Sequence, residues 1–363
     1  MPTWGEILKE VQESARVRAP GSPDLDGIRH KYLQGLSKLS GRAVISYASG
    51  WLQKRNNRIT YSVEGSDVHG FMECCYGVKE RELDLVLHSP GGSPQAAEQI
   101  LEYLRTRFDY IRAIVPLQAK SAATMIALGC NEILVGAHSE LGPIDPQIVV
   151  PVPEGSRFAP AHAILRDFER AKEQCKQDVS SIAAWTPILR SYAGGLIEFC
   201  NQAIQLSMEV VASWLEKYML RHSEMNVPEN ERRTKATQIA EWFGSANSYD
   251  RFRTHARPIR YPELQSIGLR VRRLEDDDAL QDAVLSILHI NEITFNGPAA
   301  KIIENHDNRR MVVVEQNVSI QAQPPPQQPN PPLSRQQRRA LERQIKNGKR
   351  PRLFFTADGQ WRI

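Results

Sequence analysis

LDLVLHSPGGSPQAAEQI (residues 83–100) and IRAIVPLQAKSAATMIALGCNEILVG (residues 111–136) decide the fold. Residues 83–87 are short and apolar enough for a parallel strand buried on both faces. The run stops at Ser89-Pro90-Gly91-Gly92, where glycine permits positive φ and lets another backbone come close. From Pro94 to Phe108 the apolar residues Ala97, Ile100, Leu101, Leu104 and Phe108 recur at helical spacing. A second apolar run, residues 111–117, leads to Ala119-Lys120-Ser121, and small residues then suggest a buried helix starting just after Ser121. Residues 131–136 supply a third strand. The pattern is βαβαβ, which predicts an α/β fold with a Gly-Gly turn and a serine at the ends of neighbouring strands.

A serine at a helix start sits beside backbone N–H groups that have no partner inside the helix. If Ser121 attacks a carbonyl, the N–H of Ala122 and an N–H of the Gly91-Gly92 turn can meet the oxyanion. Each such donor is typically worth about 2.7–4 kcal/mol in the transition state. Taken singly, Pro-Gly-Gly is most often a turn and a serine before a helix most often an N-cap. Together, in one βαβ unit, they are far more specific.

The segments LDLVLHSPGG, AKSAATMIALG and SELGPIDPQ resemble the Clp-class serine peptidases, and above all the serine dehydrogenase proteinase family, related to signal peptide peptidase A and the Clp protease proteolytic subunit. The resemblance runs from about residue 59 to 305 and is densest over residues 83–165. It implies a Clp/crotonase-like spiral of ββα units, with Ser121 as nucleophile and Gly91 and Gly92 in the oxyanion hole. The substrate it implies is a peptide or protein. In Ser-Lys relatives the lysine base follows an Ala-Pro pair at a helix start. Here Ala159-Pro160-Ala161 is followed by His162, which becomes the first choice for the base.

Other groups compete for that role. Lys172 and Lys176 alternate with acidic residues, as on a solvated face. His88 stands beside the glycine turn and His138 at a strand end. His255, in THARPI, reads as a structural loop or as a cleft residue. Asp145, in GPIDP, can orient a histidine or simply form a turn before proline.

The 363 residues, 41% of them hydrophobic, can bury a large core. No apolar run approaches the roughly 20 residues needed to span a bilayer, and no hydrophobic signal core opens the chain. The expectation is a cytoplasmic protein. Cys74, Cys75, Cys130, Cys175 and Cys200 have neither disulfide nor zinc spacing, so neither metal nor cofactor is expected. Net charge of +4 says little about partners.

Residues 1–40 read as a helical arm, 41–315 as the peptidase domain and 180–245 as a helical insertion within it. The apolar helices of that insertion suggest a homo-oligomer. Residues 149–155 read as a proline-rich loop, and Met311 to Glu315 as the last strand. Residues 316–333 read as an extended Pro/Gln-rich linker. The basic tail, 334–363, expected to be disordered, suits an acidic partner or nucleic acid, though a solvated tail is the blander reading. Walker-type motifs are absent, so the expected activity needs no ATP of its own. Two readings from other classes are a Clp-fold scaffold that cannot hydrolyse amides and acyl-CoA chemistry on the same fold.

Overall fold

The computed structural model describes residues 3–17, 22–54, 61–152 and 155–315, with positions 339, 343, 354–355 and 361–362. The linker and nearly all of the basic tail lie outside the described residues. The chain divides into two units, residues 1–315 and 316–363.

In the first unit α1 (Trp4–Val17) and α2 (Leu25–Ser40) open the chain. Asp24 caps α2 by accepting the Gly27 N–H, and Gly41 closes it with φ of 68°. β1 (Ala43–Ser49), α3 (Asp67–Cys75), β2 (Glu82–His88), α4 (Pro94–Arg107) and β3 (Tyr110–Val115) follow. Next come β4 (Gln118–Ala119), α5 (Ala122–Leu128), β5 (Glu132–Val135) and β6 (Glu140–Leu141). A hairpin, β7 (Gln147–Val152) and β8 (Gly155–Pro160), then leads into α6 (Ala161–Gln177), α7 (Ser181–Leu189), α8 (Leu196–Lys217) and α9 (Glu229–Gly244). The unit ends with α10 (Ala246–Phe252), α11 (Tyr261–Ser266), β9 (Val271–Arg273), α12 (Asp278–Phe295), β10 (Ala299–Asn305) and β11 (Arg310–Val314).

Seven strands form one sheet in the order β11-β10-β1-β2-β3-β5-β9. From β1 to β9 every pairing is parallel, and β10 and β11 add an antiparallel edge. Leu83, Leu85 and Leu87 pack with α3, α4 and α5 on one face. Val44, Val86, Ile114 and Leu134 pack with Leu33 and Leu36 of α2 and Val284 and Ile287 of α12 on the other. Burial on both faces is why these strands carry near-continuous apolar runs. The N-terminal arm belongs to this body: Ile7, Val11 and Ile28 pack on Ile290 and Ile293.

A second, smaller ladder runs beside the main sheet. Ser89 bridges Ala119, Ala119 pairs with Leu141, and Leu141 bridges Ile259. β3 and β5 each continue from the main sheet into this ladder, β3 through β4 and β5 through β6, and α5 follows β4. These are the ββα units of a Clp-like spiral.

Two sequence expectations change. The segment read as a proline-rich loop is the β7–β8 hairpin, with Val149 paired to Phe158 and Pro151 to Ser156. Proline is tolerated there because this two-stranded ribbon leaves N–H positions that need no partner. β9 and β10 were not foreseen. In β10 the charged Lys301 and Glu304 break the apolar pattern, yet both are buried and paired, with Asp67 and Arg29 respectively.

Cys74, Cys75, Cys130 and Cys200 are buried free thiols. Burial pushes the Cys75 thiol up to about 11 and that of Cys130 to about 12, so both pack as small apolar groups. In the second unit, Phe354–Phe355 pairs antiparallel with Trp361–Arg362. No helix among the described residues is long and apolar enough to cross a membrane.

Candidate active site

β2 ends at His88, and the chain turns through Ser89-Pro90-Gly91-Gly92 before Ser93 caps α4 by accepting the Ala96 N–H at 3.2 Å. The neighbouring strand delivers Ser121 to the start of α5. Two ladder bonds hold these junctions together: Ser89 N–H donates to Gln118 O and Lys120 N–H to Ser89 O, each at 3.0 Å. On the far side of the turn, Val63 N–H donates to Gly91 O at 2.8 Å and Ser93 N–H to Val63 O at 2.9 Å.

The approach leaves no room for side chains in the turn. A Cβ on Gly91, where φ is 87°, would lie 2.3 Å from the Lys120 carbonyl oxygen, 2.6 Å from Ser121 Cβ and 2.9 Å from Ala122 N. A Cβ on Gly92 would lie 2.4 Å from Val63 O. Both glycines are therefore required for space, and Gly91 also for its conformation.

Ser121 sits at φ 51° and ψ −120°, outside the regions open to ordinary L-residues, and its side chain makes no capping hydrogen bond. The backbone donors around it are unequal. Gly91 N–H is spent on Ser89 Oγ at 3.2 Å, and Ala123 N–H on Lys120 O at 2.9 Å. Among the described residues Gly92 N–H and Ala122 N–H have no acceptor.

Lys120 is consumed by an ion pair: its Nζ donates to Glu140 Oε2 at 2.8 Å and to Leu141 O at 3.1 Å. Burial pulls the lysine below its ordinary range against the pull of Glu140. For Glu140, burial acts upward, but hydrogen bonds and charge from Lys120 and Arg260 hold it low. This clamp pins the strand that leads into Gly142-Pro143-Ile144-Asp145. Thr124 pins it again, accepting Gly142 N–H at 3.0 Å while donating to Ala119 O at 2.7 Å.

At the end of that segment Asp145, 3% exposed, meets His255: Oδ1 lies 2.7 Å from Nδ1, and Oδ2 accepts from Gln147 Nε2 at 2.9 Å. An ionised carboxylate only accepts, so the His255 proton is assigned to Nδ1. Nε2 is left for other work on a half-buried ring.

His162 opens α6, where Ala161 N–H donates to Pro146 O at 2.9 Å. The imidazole is buried, its Nε2 2.9 Å from the Gly244 carbonyl and its ring 5.5 Å from that of Tyr249. The structure thus brings Asp145 and His255 together, while His162 lies beyond the β7–β8 hairpin at the start of α6.

The remaining candidates are occupied elsewhere. His138 Nε2 lies 2.9 Å from Pro116 O. His88 is buried against Gln118, and burial takes it down to about 4. Lys172 pairs with Glu169 on the surface, and Lys176 lies exposed in the last turn of α6. Among the described residues no three His, Cys, Asp or Glu side chains are grouped to hold a metal ion.

Residues 74–187 match the family of ClpP-like SDH-type serine proteinases. Two uncharacterized proteins of Methanocaldococcus jannaschii are similar. MJ1495 is 37% identical over 194 residues, 53% of this chain and 53% of that protein. MJ0137 is 41% identical over 70 residues, 19% of this chain and 24% of that protein. The matched stretches thus span about half or less of either relative. Among solved structures, a serine-to-alanine mutant of the 1510-N membrane-bound stomatin-specific protease aligns at 14% identity and a TM-score of 0.35. That alignment covers 61% of this chain and 79% of the other. The Gly-Gly turn and the serine junction both lie inside the segment that matches the family of ClpP-like SDH-type serine proteinases.

Proposed function

We propose that this chain is a serine peptidase in which Ser121 attacks the scissile carbonyl and the Gly92 and Ala122 N–H groups hold the resulting oxyanion. The observation that carries this reading is the approach of the Gly91 backbone to Ser121, which sets two unspent donors beside a strained, uncapped serine. Donors fixed before reaction cost no reorganisation as charge develops, which is why such holes dominate acyl-transfer rates.

His255 serves as base in this reading. Its Nε2 takes the Ser121 proton as Oγ bonds to the carbonyl carbon, while Asp145 holds Nδ1–H and stabilises the imidazolium. The imidazolium then gives that proton to the leaving amine as the C–N bond breaks. Water, deprotonated by the same imidazole, cleaves the acyl-enzyme and restores Ser121. A second reading keeps His162 as base, favoured by its place next to Ala161, whose N–H donates to the carbonyl of Pro146, the residue after Asp145. Its engagement with the Gly244 carbonyl and the absence of a bonded carboxylate, among the described residues, rank it second.

Substrates of this class are peptides or unfolded segments, and the chemistry as drawn needs no nucleotide. A fluorophosphonate probe, followed by peptide mapping, tests the reading directly. Labelling of Ser121, lost in Ser121→Ala, is the expected result. A folded wild-type protein that neither labels nor cleaves casein or short peptides would instead favour a scaffold role.

A further inference from the structure

Beneath the glycine turn lies a line of buried polar groups that the chemistry above does not use. Lys301 of β10 is 2% exposed, and its Nζ donates to Asp67 Oδ1 at 2.7 Å, to Oδ2 at 2.9 Å and to Ser62 O at 2.6 Å. Asp67, fully buried at the start of α3, also accepts the Tyr47 hydroxyl at 2.7 Å and Glu64 N–H at 3.0 Å. Tyr47 stands on β1 opposite Leu87, two residues before Ser89, and Tyr47 and Ser89 are both fully buried. Ser89 Oγ accepts Gly91 N–H at 3.2 Å.

The line reaches the turn by two routes. One passes Tyr47, on the strand beside β2, to Ser89 and the Gly91 amide it accepts. The other runs through Ser62 and Glu64, which flank Val63, the residue whose N–H and carbonyl clasp Gly91 and Ser93. A buried ion pair is weak evidence for stability, since a packed apolar pair of equal volume often does as well or better. Apolar groups could not, however, specify which way the amides of this turn point. Spending Gly91 N–H inside the protein leaves Gly92 N–H as the donor of this turn with no acceptor among the described residues.

We propose that Lys301, Asp67, Tyr47 and Ser89 form a buried positioning chain that fixes the Gly91-Gly92 turn with the Gly92 N–H aimed at the oxyanion. The proposal rests on the reading of Gly92 and Ala122 as the oxyanion donors. None of the four touches substrate, so their effect must appear in transition-state stabilisation and not in substrate affinity.

The test uses Tyr47→Phe and Ser89→Ala in the full chain, with Ser121→Ala as reference. Each loses one hydroxyl, one on β1 and one in the turn after β2, so folding of either suffices, as checked by circular dichroism. Misplacing the donor should lower kcat about 10- to 100-fold. KM should stay within about twofold. The inhibition constant of a peptide aldehyde, whose hemiacetal oxygen occupies the oxyanion hole, should rise by the same factor as kcat falls. A purely structural role would lower the melting temperature and leave that constant unmoved. Full kcat in a folded variant, with Ser121→Ala inactive, overturns the positioning chain alone. Full activity of Ser121→Ala overturns the site reading beneath it.

Discussion

Gly91 and Ser121 meet backbone to side chain: a single carbon added to Gly91 would lie 2.6 Å from Ser121 Cβ. Gly91→Ala must therefore push the two junctions apart or twist a residue held at φ 87°. Strain of this kind costs about 1–3 kcal/mol. Activity should fall at least about 100-fold, chiefly in kcat. Steady-state kinetics alongside thermal melts checks both; a loss confined to KM would mean that the turn only shapes a substrate groove.

Ser121 allows a sharper comparison. At φ 51° and ψ −120° glycine is at ease and alanine is not. Ser121→Ala and Ser121→Gly should both be inactive, but the glycine variant should be the more stable by about 1 kcal/mol, strain relief exceeding the lost chain stiffness. Equal melting temperatures would show that the serine is not strained in solution.

Three substitutions separate the candidate bases. His255→Ala and Asp145→Asn should each lower kcat/KM about 100- to 10,000-fold. Lys172→Ala should cost little, because its pair with Glu169 is exposed. If His162→Ala is inactive while His255→Ala keeps full turnover, the base moves to His162.

His88 predicts a stability profile. Burial holds its imidazole at about 4 against an ordinary 6.5, with Glu292 and the Gln118 carbonyl opposing. The unfolded chain takes up a proton near pH 6.5 that the folded chain refuses until about pH 4. Stability from the neutral ring is complete above pH 6.5 and drains as pH falls through that window, by at most about 1.4 kcal/mol per unit. His88→Asn should flatten the melting temperature between pH 7 and pH 4.5. Parallel curves for the two proteins would assign the loss to other groups.

The helical region exposes Val179, Ile182, Ile188 and Phe199, and the hairpin Val149 and Phe158. Such a surface suits a second copy of the chain. Sedimentation at micromolar concentration should give an oligomer, dispersed by Phe199→Asp with Ile188→Asp. A wild-type monomer would sink this expectation.

Much of this architecture was legible because buried parallel strands leave short, near-continuous apolar runs bounded by turn residues. Residues 83–87 and 111–115 carried that mark, and the Pro-Gly-Gly and Lys-Ser-Ala junctions followed. β10 was illegible for the opposite reason: Lys301 and Glu304 look like surface residues until their partners, 234 and 275 positions away, are known. The pairing of Asp145 with His255 was hidden likewise, since 110 residues separate them. Both had been singled out separately, by GPIDP and THARPI; an antiparallel bridge between Leu141 and Ile259 is what aligns the two segments.

The order of synthesis gives Lys301 another meaning. Ser121 and both glycines leave the ribosome some 180 residues before β10, and chains fold from the N-terminus as they emerge. Until β10 docks beside β1, Asp67 has no counter-charge and Ser62 no lysine to grip it. On the reading proposed above, a growing chain would carry Ser121 before the clasp beneath the turn exists, and peptide hydrolysis would wait among other nascent polypeptides until the chain is nearly finished. A version ending before Ala299 should take no fluorophosphonate label, and robust labelling of it would refute the safeguard.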